Sequence, residues 1–182
     1  LGLDACWLTV NDAEAAAQGI GVETDKKLAV FIAFGHGNKA VKDVRLDIKS
    51  PSNVKMVTRE NKAAPKISMN DLLFSKVYGE PVNMELLYTE LEDALLSIAV
   101  AQSFFNRQPY RVIVDDDIVS LIGLKDELTT AEDALLNYGI AMFNFYAVLD
   151  STRANVRMWS FEDAGRDLKL PGNACYVAKI RT

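Results

Sequence analysis

Sixteen consecutive residues, Ala134 to Leu149, carry no charge. They lie inside a stretch whose Thr129 and Glu132 resemble a capping box, so the pattern predicts a helix from Ala131 to about Asp150. Leu135, Tyr138, Met142, Phe145 and Leu149 would line one face, with Leu136, Ile140, Phe143 and Ala147 beside it. A helix that is apolar nearly all round has to be covered on more than one side. It is too short, and too interrupted by Asn137, Gly139 and Asn144, for the roughly 20 apolar residues of a membrane span. A buried core helix is the reading.

A second helix is predicted over Met84–Phe105, where Asn83 supplies a cap and no Gly or Pro intervenes. Its stripe would be Leu87, Leu91, Leu95, Ile98 and Gln102, and its C-terminal half is also apolar nearly all round. Asn106 to Pro109 ends it. Two such helices in 182 residues strain the available core. Either both are central, or one completes its burial against a partner or a copy.

Shorter patterns fill the rest. Asn11–Gln18 predicts a helix that Gly19 and Gly21 stop. Leu28–Phe34 is a continuous apolar run, the signature of a fully buried strand. Val44–Lys49 alternates apolar and polar, Ser50–Asn53 reads as a turn, and Val54–Arg59 reads as the return strand of a hairpin. Asn61–Lys66 is a loop. Ser68 and Asp71 open a predicted helix over Met69–Val77. Tyr110–Val114, Val156–Phe161 and Ala174–Ile180 read as strands, and Ile118–Leu124 fits a strand or a short helix. Strands and helices are grouped rather than alternating. The predicted fold is therefore α+β: a mainly antiparallel sheet packed against two long apolar helices, at about 84–105 and 131–150. The expected organisation is a single domain over 1–182 with a basic β-hairpin at about 44–59.

Charge is segregated along the chain. The net charge is −5 overall, yet residues 39–69 hold +5 and residues 70–163 hold −10. The basic groups are Lys39, Lys42, Arg45, Lys49, Lys55, Arg59, Lys62 and Lys66. They suit a solvated face that guards an edge strand, or a docking surface for the acidic part of another copy. A third reading is a nucleic-acid arm that tracks phosphates. That one lacks the stacking aromatics of single-strand binders, since residues 35–69 contain no Phe, Tyr or Trp.

Catalytic signals are sparse. His36, the only histidine, sits in the turn Gly35-His36-Gly37-Asn38, and histidine is the usual general base near neutral pH. A His-Gly turn after a strand resembles the oxyanion loop of lipase-type hydrolases, but the nucleophile motif G-x-S-x-G is absent. Asp115, Asp116 and Asp117 follow a strand, where carboxylates can hold Mg²⁺; an acidic turn or helix start is the favoured reading. There is no phosphate-binding loop, dinucleotide fingerprint, HExxH or CxxC. One histidine and two distant cysteines give no zinc set, and no metal or cofactor is expected. Cys6 and Cys175 read as two buried free thiols behaving as small apolar residues, with a terminus-to-terminus bridge as the alternative.

Leu1 stands where a Met would start a chain, and the first ten residues carry no Lys or Arg for a signal peptide; an already removed leader stays open. The cytoplasm or an assembled particle is the expected location. The functional expectation is a non-catalytic structural subunit that self-associates or binds another protein. The alternatives are a small enzyme with its site near His36 and Asp115–Asp117, and a nucleic-acid-binding module acting through residues 39–66.

Overall fold

A computed structural model of the chain describes residues 2–26, 28, 30–37, 43–50, 53–59, 64–153 and 156–182, and their side chains except at 43–50 and 59. The chain divides into two compact units, Leu1–Pro65 and Lys66–Thr182. The boundary falls in the loop read at Asn61–Lys66. The mixture of helices and antiparallel strands is that of an α+β protein.

The first unit holds β1 (Asp4–Leu8), α1 (Ala13–Gly19), β2 (Phe31–Gly35), β3 (Asp43–Ser50) and β4 (Asn53–Arg59). Asp12 caps α1, its carboxylate accepting from the Ala15 amide at 2.9 Å. The strands form two separate antiparallel pairs, β1 with β2 and β3 with β4. The hairpin register sets Leu46 across from Met56 and Ile48 across from Val54. The Leu28–Phe34 run does not become the buried strand its composition suggests. Among the described residues there, those of Phe31–Gly35 are strand, Ile32 is exposed and Phe34 is 77% exposed. A two-stranded ribbon has no second layer to bury such a run.

The second unit is built on a four-stranded sheet in the order β5 (Leu73–Ser75), β6 (Tyr110–Asp115), β7 (Ile118–Leu124), β8 (Ala174–Arg181). The β6–β7 and β7–β8 pairs are antiparallel, while β5 runs parallel to β6. Two helices cover one face, α3 (Thr89–Ala99) and α4 (Ala131–Thr152), after a single turn α2 (Met69–Leu72). Alternation along β6 sends Tyr110, Val112 and Val114 to the helices. Ile113 faces the other way and meets Ile122 and Leu168. Leu168, 4% exposed, belongs to the segment before β8 that covers this second face.

The helix-side core joins Leu91, Leu95 and Ile98 of α3 to Tyr138, Ala141, Phe145 and Leu149 of α4. The Trp159 ring stands edge-on to Phe145, with centroids 5.5 Å apart, and its indole N–H donates to the Met142 carbonyl at 3.0 Å. Burying a side chain the size of Phe145 contributes about 1.5–3 kcal/mol. Gly123 of β7 lies under the Tyr138 ring, where a Cβ would overlap the hydroxyl oxygen. A side chain there requires the Tyr138 ring to shift.

Several boundaries depart from the expectations. Met84–Phe105 is a 3-10 turn at Met84–Leu86 followed by α3, which stops at Ala99. Leu87 and Tyr88 are extended, and Tyr88 serves as the N-cap of α3. Met69–Val77 is helical for only one turn, because Leu73–Ser75 pairs with β6 instead. Val156–Phe161 is not a strand; Ser160 alone forms a bridge, to Lys179. Ile118–Leu124 is a strand. On α4, Leu135 is not on the buried face; it is 69% exposed. Among the described residues no helix is long and apolar enough to cross a membrane.

Candidate functional site

The most constrained piece of backbone in the second unit follows α3. Phe105, Asn106 and Gln108 all have left-handed backbone, with φ of 48°, 56° and 48°. For non-glycine residues this conformation costs about 1–2 kcal/mol each, less for Asn. Strain of that kind persists only where the surroundings hold it.

A set of buried polar contacts does so. The Gln108 side chain, in a residue 6% exposed, donates to the Ala99 carbonyl at 2.6 Å and accepts from the Ile67 amide at 3.0 Å. Its backbone N–H donates to the Ser103 hydroxyl at 2.9 Å. Asn137, 1% exposed on α4, accepts from the Phe104 amide at 2.8 Å. The Lys66 ammonium donates to the Ala101 carbonyl at 2.9 Å and to Asn106 Oδ1 at 2.7 Å, and partial burial lowers its pKa. The Tyr110 hydroxyl donates to the Ile98 carbonyl at 3.2 Å, and burial pushes its pKa up to about 12. Two of these bonds reach carbonyls in the last turn of α3, those of Ile98 and Ala99.

The turn presents two groups outward. Phe105 is 76% exposed, its ring edge-on to Phe104 at 4.4 Å. Arg107 forms a two-pronged pair with Asp126, at 2.8 and 3.2 Å. The Arg107 hydrogen bond, helped by the Leu128 amide, holds the Asp126 carboxyl below its ordinary pKa. Beside the pair lies an open groove of 420 Å³ with Arg111, Lys125, Glu127 and the buried Gln108 in its walls. Its lining offers charge and hydrogen bonds but no Ser, Cys or His.

The residues singled out in the sequence are scattered. His36 is exposed just after β2, beside a shallow groove of 240 Å³ that Asp4, Cys6 and Phe34 also line. Its neighbour Gly37 donates its N–H to Asp4 Oδ2 at 2.9 Å, and a Cβ there would overlap that oxygen. The glycine thus serves a close approach to a carboxylate. Asp115–Asp117 belong to the second unit, at the β6–β7 turn. Asp115 pairs with Arg166 at 3.0 Å and Asp117 with Arg181 at 2.5 Å, so two of the three charges are already balanced. The enzyme reading thus draws on residues of two different units. Among the described residues no three His, Cys, Asp or Glu side chains converge as a metal set would require. Both cysteines are exposed rather than buried, Cys6 on β1 and Cys175 as a free thiol on β8, since among the described residues neither strand position faces a covering layer.

Of the basic groups, Lys55 is exposed on β4, and Arg45, Lys49 and Arg59 are hairpin residues by their backbone. Lys39, Lys42 and Lys62 lie outside the described residues. Lys66 belongs to the second unit and is occupied in the strained turn. The turn itself escapes a reading of the sequence. Its one outward sign is Asn106 before Gln108-Pro109, since Asn tolerates left-handed backbone and a residue before proline avoids the helical region. No family model, no curated protein and no solved structure matches this chain.

Proposed function

We propose that the chain is a structural subunit that self-associates, its first unit completing its burial on a neighbouring copy. One observation carries this reading: no described side chain in residues 1–65 is buried. Every buried apolar residue of the described chain falls between Leu72 and Ile180. The first unit instead exposes Ile20, Ile32, Phe34, Val54 and Met56, the last at 75%. Paired strands without a covered face are marginal in water, and exposed apolar area on this scale marks an interaction surface. Segregated charge supports the choice of occupant. The basic stretch 39–69 has an acidic counterpart in residues 70–163 of a neighbour.

Light scattering coupled to size exclusion, at low and high salt, tests the proposal. A defined oligomer that loosens in salt supports docking of the basic hairpin on an acidic neighbour. A monodisperse monomer at tens of micromolar in both conditions refutes the assembly reading.

A further inference from the structure

Strand β8 is the last of its sheet, and the segment at 156–162 is bound to it. Ser160 and Lys179 exchange backbone hydrogen bonds at 2.7 and 2.9 Å. Trp159 pins the segment to α4 through Phe145 and the Met142 carbonyl. The segment and the facing ends of β7 and β8 wall a pocket of 310 Å³, at the lower end of the range of about 300–1,000 Å³ for small-ligand sites.

Three cations line it: Arg157 on the segment, and Lys179 and Arg181 on β8. The last two stand two residues apart and so share a face of the strand, while Ile180 between them belongs to the core. All three have donors to spare. The Lys179 ammonium donates to the Asp163 carbonyl at 2.5 Å, and Arg181 Nη1 donates to Asp117 Oδ2 at 2.5 Å. Arg157 is exposed and, among the described residues, has no hydrogen bond or ion pair. Ser160 Oγ accepts from the Glu162 amide at 3.3 Å, which leaves its hydroxyl proton to donate. One carboxylate, Glu162, stands in the wall, and Asp117 balances Arg181. Ile118, the register partner of Arg181, and the exposed Met158 supply an apolar flank.

We infer that this pocket binds a phosphate monoester whose organic group is compact and apolar or aromatic. Such an ester carries a charge of about −1.5 to −2 at neutral pH and three acceptor oxygens. Guanidinium groups present a planar fork that matches those oxygens, and a lysine adds a point charge. A carboxylate, with one charge and two oxygens, leaves part of this donor set unused. The ester group lies on Ile118 and Met158. Glu162 repels the phosphate from its own side of the pocket and so fixes the orientation. Every residue of the site belongs to the second unit. Binding therefore does not depend on self-association, and the two readings fail separately.

The experiment is titration calorimetry of the full chain with phenyl phosphate, inorganic phosphate and benzoate at constant ionic strength. Phenyl phosphate should bind once per chain with a Kd of about 0.1–1 mM. It should bind about tenfold more tightly than benzoate, and more tightly than inorganic phosphate. Arg157→Gln weakens both phosphates about tenfold, and Glu162→Gln tightens both. Met158→Ser weakens phenyl phosphate alone. Lys26→Gln removes an exposed charge in the first unit and leaves every affinity unchanged, which separates a local effect from one of net charge. Arg157 and Glu162 are both exposed, so unliganded thermal midpoints equal to wild type check that these variants are folded. No saturable binding of phenyl phosphate up to about 10 mM overturns the site. Benzoate binding as tight as phenyl phosphate overturns the phosphate assignment. Affinity unmoved by Arg157→Gln, or not raised by Glu162→Gln, places the anion elsewhere and overturns the site also.

Discussion

Replacing Gln108 with alanine should destabilise the second unit by about 2–4 kcal/mol. The side chain satisfies the Ala99 carbonyl at 2.6 Å and the Ile67 amide at 3.0 Å. Ala99 is 2% exposed, so water does not replace the lost donor without rearrangement. A buried polar group left without its partner costs about 1–3 kcal/mol, and the half-buried Ile67 amide falls at the low end. Gln108→Gly removes the same two bonds but relieves the left-handed φ of 48°, recovering about 1 kcal/mol. The expected order of stability is Gln, then Gly, then Ala. Urea unfolding followed by Trp159 emission reads it out, in a Trp7→Phe background so that one indole reports. Trp159 packs on Phe145 in the core of this unit. Denaturation midpoints should move with little change in slope. An alanine variant within about 0.5 kcal/mol of wild type, the range of a neutral surface change, would refute the view that Gln108 holds the turn. A glycine variant less stable than alanine would show that the left-handed backbone carries no strain.

Three further outcomes follow from the same unit. Tyr110 keeps its proton to about pH 12 in the fold and to about pH 10 when unfolded. The folded state therefore binds more protons between these values, and stability falls as pH rises through them, by up to about 1.4 kcal/mol per pH unit. Absorbance at 295 nm and urea midpoints from pH 9 to 12 check this, and Tyr110→Phe should flatten the slope. Gly123→Ala should cost about 1–3 kcal/mol by displacing the Tyr138 ring, measured by calorimetry, with Tyr138→Ala recovering part in the double variant. Asp126 has a lowered folded pKa because of Arg107. Its contribution is present above the ordinary carboxylate range and lost as pH falls through the folded value, so Asp126→Asn should shallow the acid limb of stability against pH.

Legibility in the sequence follows locality. The hairpin at 43–59, the strands at 110–115 and 174–181, and the helix from Ala131 are readable because their periodicity is contained in the segments themselves, although the helix is capped by Thr130 with Asp133, one residue on from the Thr129 and Glu132 expected. The helix capped by Asn83 reads too long, since apolar residues continue to Phe105 while the backbone leaves α3 at Val100. What ends it is tertiary: the buried side chains of Gln108 and Asn137 reach in from elsewhere in the chain. The Met69–Val77 pattern loses to strand pairing for a similar reason, because Leu73 and Phe74 gain β6 as a neighbour. Leu28–Phe34 shows the converse. Its composition asks for burial, and among the described residues of the unit holding it no side chain is buried. The strained turn is invisible because a buried glutamine and a surface glutamine are spelled alike.

The strand order of the second unit also has a temporal consequence. Strands β6 and β7 meet through the two-residue turn Asp116-Asp117, with Asp116 left-handed, so their pairing closes almost no loop. Strand β5 reaches β6 only after the chain has travelled through α3, and β8 reaches β7 only after it has travelled through α4. Folding should start at the β6–β7 hairpin and finish at the two sheet edges. Substitutions around the hairpin turn then slow folding, and those in β8 mainly hasten unfolding. The outer strands are thus the last to form and the first to open. The centre of the sheet keeps its register while its borders exchange with solvent.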